Sequence, residues 1–125
     1  MSGRFSVGAR CRLSATSLVG SVMLIASVAT TQAQSSTIKD GKAIAFDRNK
    51  GNCLSCHDIK GGDLAGTIGP QLSDVKARFP NRDDLIRIVT DETRRNPQTV
   101  MPPFGRNLIL TDKEISAIVD FLYSL

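Results

Sequence analysis

The last stretch of the chain carries the clearest hydrophobic pattern. Thr111 and Glu114 stand three residues apart, the capping-box signature of a helix start, and an apolar stripe at helical spacing follows them. The stripe consists of Ile115, Ile118, Val119, Leu122 and Leu125. We therefore predict a C-terminal helix that begins after Thr111 and buries this stripe.

A second helix is predicted to begin after Asn81. Asn81 is a good N-cap residue, and Asp83 and Asp84 would lie in the first turn, where a helix favours negative charge. Its apolar positions at helical spacing are Leu85, Ile88 and Val89. The dipeptide Asn96-Pro97 is expected to end this helix, because the residue before a proline avoids the helical conformation.

A shorter helix is predicted from Lys39 to about Asn49, with Gly51 available to end it. Its apolar surface would come from Ala43, Ile44 and Phe46. Residues 58–80 and 100–107 are expected to be loops, since glycine and proline interrupt both. No strand pattern and no repeat is visible, so the predicted class is all-α. The loops are long for so small a core, which indicates that something besides side chains fills the middle.

The first 33 residues have the order of a secretory signal peptide. Arg4, Arg10 and Arg12 form a basic start, an apolar run covers residues 18–29, and a small residue stands at Ala33. The run is about a dozen residues, shorter than the roughly 20 that span a bilayer. We predict cleavage after Ala33, export to the periplasm, no membrane anchor, and one domain over residues 34–125.

Charge changes little in this picture. Three of the sixteen Lys and Arg residues lie in residues 1–33, which leaves thirteen against twelve acidic residues, a net charge of +1. The remaining chain has few aromatic residues and no basic stripe. Nucleic-acid binding is therefore not expected.

The chemistry is concentrated in CLSCH, residues 53–57. A zinc site needs four ligands, or three and a water, but no second cysteine pair or histidine completes the set. A thioredoxin-like dithiol usually follows a strand, and none is visible. C-x-x-C-H is also the attachment signature of c-type haem. We favour haem c, with Cys53 and Cys56 bonded to the two vinyl groups and His57 as the proximal iron ligand.

The distal ligand is predicted by elimination. His57 is the only histidine of the chain, no spare cysteine is left in residues 34–125, and Met101 is their only methionine. Met101 lies in a loop that Pro102 and Pro103 stiffen, so we predict that it ligates the iron. A backbone carbonyl at Pro70 is expected to accept the second N–H of His57.

Ligation by histidine and methionine suits an electron carrier more than an enzyme that binds substrate at iron. No other catalytic group of residues is visible, so we expect no catalytic residues on this chain. From the residues alone, the chain is an electron carrier or an electron-transfer subunit.

The order CLSCH, GPQL, MPPFG and a C-terminal helix resembles class I cytochrome c. Three longer stretches are similar to the SoxX family, the small monohaem subunits of the SoxXA complex of sulfur-oxidising bacteria. They are GNCLSCHDIKGGDLAGTIGPQL, NPQTVMPPFG and LTDKEISAIVDFLYSL. Some SoxX relatives have longer N-terminal extensions than residues 34–125 provide.

The SoxX resemblance implies a heterodimer with SoxA, a larger periplasmic c-type cytochrome that carries the active site. That complex is an L-cysteine S-thiosulfotransferase: it couples thiosulfate oxidatively to a cysteine of the carrier SoxYZ and passes electrons to a soluble cytochrome c. Three alternatives stay open. They are a free-standing carrier to a terminal oxidase, a subunit of another periplasmic dehydrogenase, and a haem-based gas sensor with a labile sixth ligand.

Overall fold

The computed structural model describes residues 37–125. The predicted signal peptide, residues 1–33, lies outside the described residues, and both its cleavage and the domain start at residue 34 stay predictions. Within residues 37–125, no helix is both long and apolar enough to cross a membrane.

Four helices and two short 3₁₀ turns make up the regular structure of the described residues. Helix α1 covers residues 37–46, α2 Val75–Arg78, α3 Arg82–Asp91 and α4 Asp112–Leu122. The 3₁₀ turns are Cys53–Ser55 and Glu92–Arg94. Over this part of the chain the only extended pairing is an isolated bridge between Ile59 and Leu72. The predicted all-α class is confirmed.

Helix α4 begins as its pattern predicts. The hydroxyl of Thr111 accepts the Glu114 N–H at 3.3 Å, and the Glu114 carboxylate accepts the Thr111 N–H at 2.9 Å, which completes the capping box. The first four residues of the stripe are buried, and Leu125 packs on the core just beyond the helix. This helix supplies the largest share of the hydrophobic core.

Helix α3 begins at the predicted place but ends early. The Asn81 side chain accepts the Asp83 N–H at 3.1 Å, as expected for an N-cap. The α-helix stops at Asp91, five residues before Asn96, and continues only as a 3₁₀ turn. The reason is local: the Asp91 carboxylate accepts the Thr93 N–H at 3.2 Å and starts a new turn there.

Helix α1 also ends early, at residue 46 instead of 49. The Asp47 carboxylate accepts the Asn49 N–H at 2.8 Å, which replaces a helical hydrogen bond with a tight turn. Ile44 and Phe46 pack on the core as predicted. Ala43 does not, because it is exposed, and the fully buried alanine is Ala45.

Helix α2 was not predicted, since residues 58–80 were expected to be loop. It is a single turn whose first residue, Val75, is almost completely buried. One turn carries too little hydrophobic periodicity to be recognised in a sequence.

Helices α1 and α4 touch at their backbones. A Cβ atom at position 41 would overlap the carbonyl oxygen of Ala117, so only glycine permits this crossing. Helix α3 is joined to α4 by Arg82, which donates to Asp120 at 2.7 Å and to the Ser116 carbonyl at 3.1 Å. These contacts fix the three main helices as one frame for the loops between them.

Gly41→Ala is expected to lower the free energy of unfolding by about 3 kcal/mol, because the added methyl must push α1 away from α4. The measurement is denaturant unfolding of the haem-loaded protein. The control is Ala43→Gly, at an exposed position of the same helix, which should cost only about 1 kcal/mol through helix propensity. A Gly41→Ala protein as stable as the wild type would contradict the close crossing.

Candidate functional site

The CLSCH segment folds into one tight turn. The carbonyl of Cys53 accepts two N–H groups, from Cys56 at 3.2 Å and from His57 at 2.9 Å. In a 3₁₀ turn, side chains three residues apart lie on the same side. The turn therefore places both thiols on one edge and His57 directly after them. Asn52, with a positive φ of 46°, turns the chain into the motif.

The orientation of His57 is fixed by Pro70. The Nδ1 atom of His57 lies 2.7 Å from the carbonyl oxygen of Pro70. A carbonyl oxygen can only accept a hydrogen bond, so Nδ1 carries the proton and donates. In the neutral ring, Nε2 then presents a lone pair, the form that a metal ligand requires. The hydrogen bond expected from the sequence is present in the structure.

The segment that carries Pro70 is joined to the CLSCH segment and Asp58 by backbone hydrogen bonds. Gly66 N–H donates to the Leu54 carbonyl at 2.7 Å, Gly69 N–H to Cys56 at 2.8 Å, and Leu72 N–H to Asp58 at 2.9 Å. These three bonds hold residues 66–72 alongside CLSCH.

Gly69 lies directly against the imidazole. A Cβ atom there would come within 2.6 Å of His57 Nδ1, well inside van der Waals contact. Glycine at this position lets the ring pack onto the backbone and keeps Nδ1 within reach of the Pro70 carbonyl.

The two cysteines do not have the properties of a redox dithiol. Both are free thiols, and burial raises the pKa of Cys53 to about 11. A reactive dithiol needs a lowered pKa, because the thiolate is the attacking species. Zinc is not favoured either: within residues 37–125, no three His, Cys, Asp or Glu side chains cluster so that they could hold a metal ion. The C-x-x-C-H spacing therefore favours covalent bonding of both sulfurs to a cofactor over either alternative.

Met101 is held by a different part of the chain, the loop between α3 and α4. The hydroxyl of Thr99 accepts the Met101 N–H at 3.1 Å. Met101 is half-buried and packs against the hydrophobic core, while Phe104, three residues later, is buried in it. The structure thus brings Cys53, Cys56, His57 and Pro70 together in one unit and presents Met101 from a second loop.

The site residues fit a covalently bound haem. They offer two thiols on one edge of a turn, an imidazole nitrogen with a free lone pair, and a thioether in a stiff loop. Ile68 and Val100, which flank the Pro70 and Met101 segments, are 70% and 75% exposed. Large apolar side chains beside a site are expected where an apolar macrocycle or another protein covers them.

Three residues that support this site were not predicted from the sequence. They are Gly69 behind the His57 ring, Thr99, which accepts the Met101 N–H, and Asp91, which pairs with Arg106 in the loop that carries Met101. Thr99 and Met101 form a T-x-M spacing that could have predicted a side-chain-capped turn. Asp91 had a different signal, an acidic residue near the end of a helix, where negative charge is unfavourable.

Comparison with protein families agrees with the geometry. A family model described as Cytochrome c matches residues 38–125, which include every residue of the site. A search of curated proteins finds no match to the sequence.

Proposed function

The chain belongs to the cytochrome c family, and from this premise we propose that it is the small, SoxX-like electron-transfer subunit of a periplasmic complex of two cytochromes. As a family member it is an electron-transfer cytochrome that carries a covalently attached haem c with its iron. Its helical structure agrees with the class I cytochrome c fold.

We assign the haem contacts to the residues of the site. Cys53 and Cys56 would form the two thioethers to the haem, and Nε2 of His57 would be the proximal ligand to its iron. The haem supplies a reversible one-electron change at its iron. The Pro70 carbonyl, 2.7 Å from Nδ1, holds the ring and makes Nε2 a stronger donor.

Met101 is assigned as the distal ligand. A thioether there favours reduced iron and closes the sixth position to small molecules. This role suits electron transfer better than gas sensing, which needs a labile sixth ligand. The hydrogen bond from Met101 N–H to Thr99 and the prolines at 102 and 103 support a loop that keeps its shape in both oxidation states.

One observation carries the proposal of a partner. The segments TIGPQL and VMPPFG both resemble the SoxX family. TIGPQL lies beside His57, and VMPPFG contains Met101. Each segment has one exposed apolar side chain. These side chains are Ile68 and Val100. Apolar residues beside a redox site offer a contact surface for another chain. We propose that the partner is a larger SoxA-like cytochrome.

In this proposal the chemistry is divided between chains. The SoxA-like partner carries the catalytic residues of an L-cysteine S-thiosulfotransferase, which joins thiosulfate to a cysteine of a SoxYZ-like carrier. The present chain takes up electrons and passes them to a soluble cytochrome c. The joining removes two electrons, so a one-electron haem must accept and release electrons twice in each turnover.

The test is the native mass of the protein in a gentle periplasmic extract, followed by haem counting on each chain. We expect a one-to-one complex with a larger c-type cytochrome, and thiosulfate-dependent reduction of this haem when a SoxYZ-like carrier is added. A lone monohaem monomer would contradict the subunit role and favour a free-standing carrier to an oxidase. A complex with a dehydrogenase that ignores thiosulfate would contradict the sulfur chemistry alone.

A further inference from the structure

Asp91 is a buried carboxylate at the junction between α3 and the 3₁₀ turn that follows it. It is the last residue of α3 and also the N-cap of the Glu92–Arg94 turn, and its side chain is only 4% exposed. A buried charge at such a position needs specific partners. Asp91 has them on both oxygens: Oδ1 accepts from Thr93, and Oδ2 pairs with Arg106 at 3.0 Å and with Arg94 at 3.5 Å.

Arg106 connects this carboxylate to the loop that carries Met101, residues 99–106, which we call the distal loop. It follows Met101 by five residues, and its Nη1 donates to Asp91 and to the Thr93 hydroxyl, both at 3.0 Å. The backbone of the same segment is fastened to α3 as well. The carbonyl of Thr90 accepts the Gly105 N–H at 3.0 Å and the Arg106 N–H at 3.3 Å. The end of α3 therefore holds this loop by two backbone hydrogen bonds and by the ion pair between Arg106 and Asp91.

The segment between Met101 and Arg106 is stiff, so a displacement of Arg106 is expected to displace Met101 as well. Pro102 and Pro103 have fixed φ angles, and Phe104 is buried in the core. A stiff segment of this length has few ways to absorb a shift at Arg106 without moving Met101.

Electrostatics favours the arrangement at neutral pH. The hydrogen bond from Thr93 and the charge of Arg106 outweigh the opposing effect of burial and keep the pKa of Asp91 below its usual value. The carboxylate is thus charged, and loss of Arg106 would leave it under-compensated. Exposed pairs such as Arg87 with Asp84 contribute far less.

We propose that Asp91, acting through Arg106, is a positioning residue for the distal ligand. The pair holds residues 101–106 against the end of α3 and thereby keeps the Met101 thioether in place. This inference rests on the proposed role of Met101 as the distal ligand. Neither residue contacts the cofactor in this scheme, and their effect is on how often Met101 leaves its position.

The experiment uses the haem-loaded, reduced protein and carbon monoxide as the probe. Carbon monoxide binds only when the sixth position is open, so its binding rate reports how often Met101 is displaced. We expect Arg106→Gln and Asp91→Asn each to raise this rate by about tenfold, the effect of losing one charged hydrogen bond. The matched control is Arg94→Gln, which removes the other, 85% exposed arginine partner of Asp91 and should change the rate by less than about twofold.

A second control separates positioning from general loosening. Asp120→Asn breaks the Arg82 pair between α3 and α4 and lowers stability without touching the distal loop. If it raises the rate as much as Arg106→Gln at equal loss of unfolding free energy, the positioning role is overturned. An unchanged rate in Arg106→Gln overturns it too. If the wild-type protein itself binds carbon monoxide without delay, the Met101 assignment fails first, and the positioning role fails with it.

Discussion

His57→Ala is expected to reduce the yield of low-spin, haem-loaded protein by about tenfold or more, because the chain loses its only imidazole, the proposed proximal ligand. The thiols could still react, but the product would lack its strongest nitrogen donor. The measurement is the absorption spectrum and haem content per milligram of the periplasmic protein. Free imidazole added to the purified variant should restore a low-spin spectrum, since it supplies the missing ligand.

The control for this prediction is the next residue. Asp58→Asn changes an exposed carboxylate that accepts a hydrogen bond from Gln71 at 2.9 Å, next to the Pro70 carbonyl. It leaves the imidazole and both thiols in place, so the yield should stay close to that of the wild type. A normal yield of low-spin haem in His57→Ala would contradict the assignment of the proximal ligand.

Met101→Ala is expected to give a haem-loaded protein that binds carbon monoxide or cyanide readily. Its reduction potential should fall by on the order of 0.1 V, because the thioether favours reduced iron. The measurements are ligand titration, stopped-flow binding of carbon monoxide, and redox titration. The haem yield should fall less than in His57→Ala, since attachment and proximal ligation stay intact.

Gln98→Ala is the matched control for Met101→Ala. It lies in the same loop and shortens an exposed side chain, so it tests whether any change in this loop opens the site. We expect the potential and ligand binding of the wild type. If Met101→Ala keeps the wild-type sixth-ligand spectrum, another group closes the iron and the distal assignment is wrong.

The starts of α3 and α4 were predicted well, and the ends of α1 and α3 were not. The starts depend on pairs two or three residues apart, as with Asn81 and Thr111, whose side chains cap α3 and α4. The early ends came from Asp47 and Asp91, whose carboxylates bond N–H groups two residues ahead. An aspartate side chain can bond a nearby backbone N–H and so replace a helical hydrogen bond. Sequence spacing does not reveal at which aspartate this happens.

Composition and spacing alone were enough to propose which side chains bind the haem iron in this protein. One histidine directly after C-x-x-C, and one methionine in residues 34–125, leave almost no choice of ligands. This prediction needs no knowledge of the fold. The C-x-x-C-H motif is continuous along the chain, and the other ligand follows from counting the histidines, cysteines and methionines of residues 34–125.

Tertiary structure decided everything that depends on residues far apart in the chain. It packs the His57 imidazole against Gly69, and it shows that Nδ1 is the nitrogen that faces the Pro70 carbonyl, which leaves Nε2 free. It also lets α1 approach Ala117 and ties Arg106 to Asp91. Close packing and the burial of charge are set by partners that no local pattern encodes, and they exist only once the chain has folded.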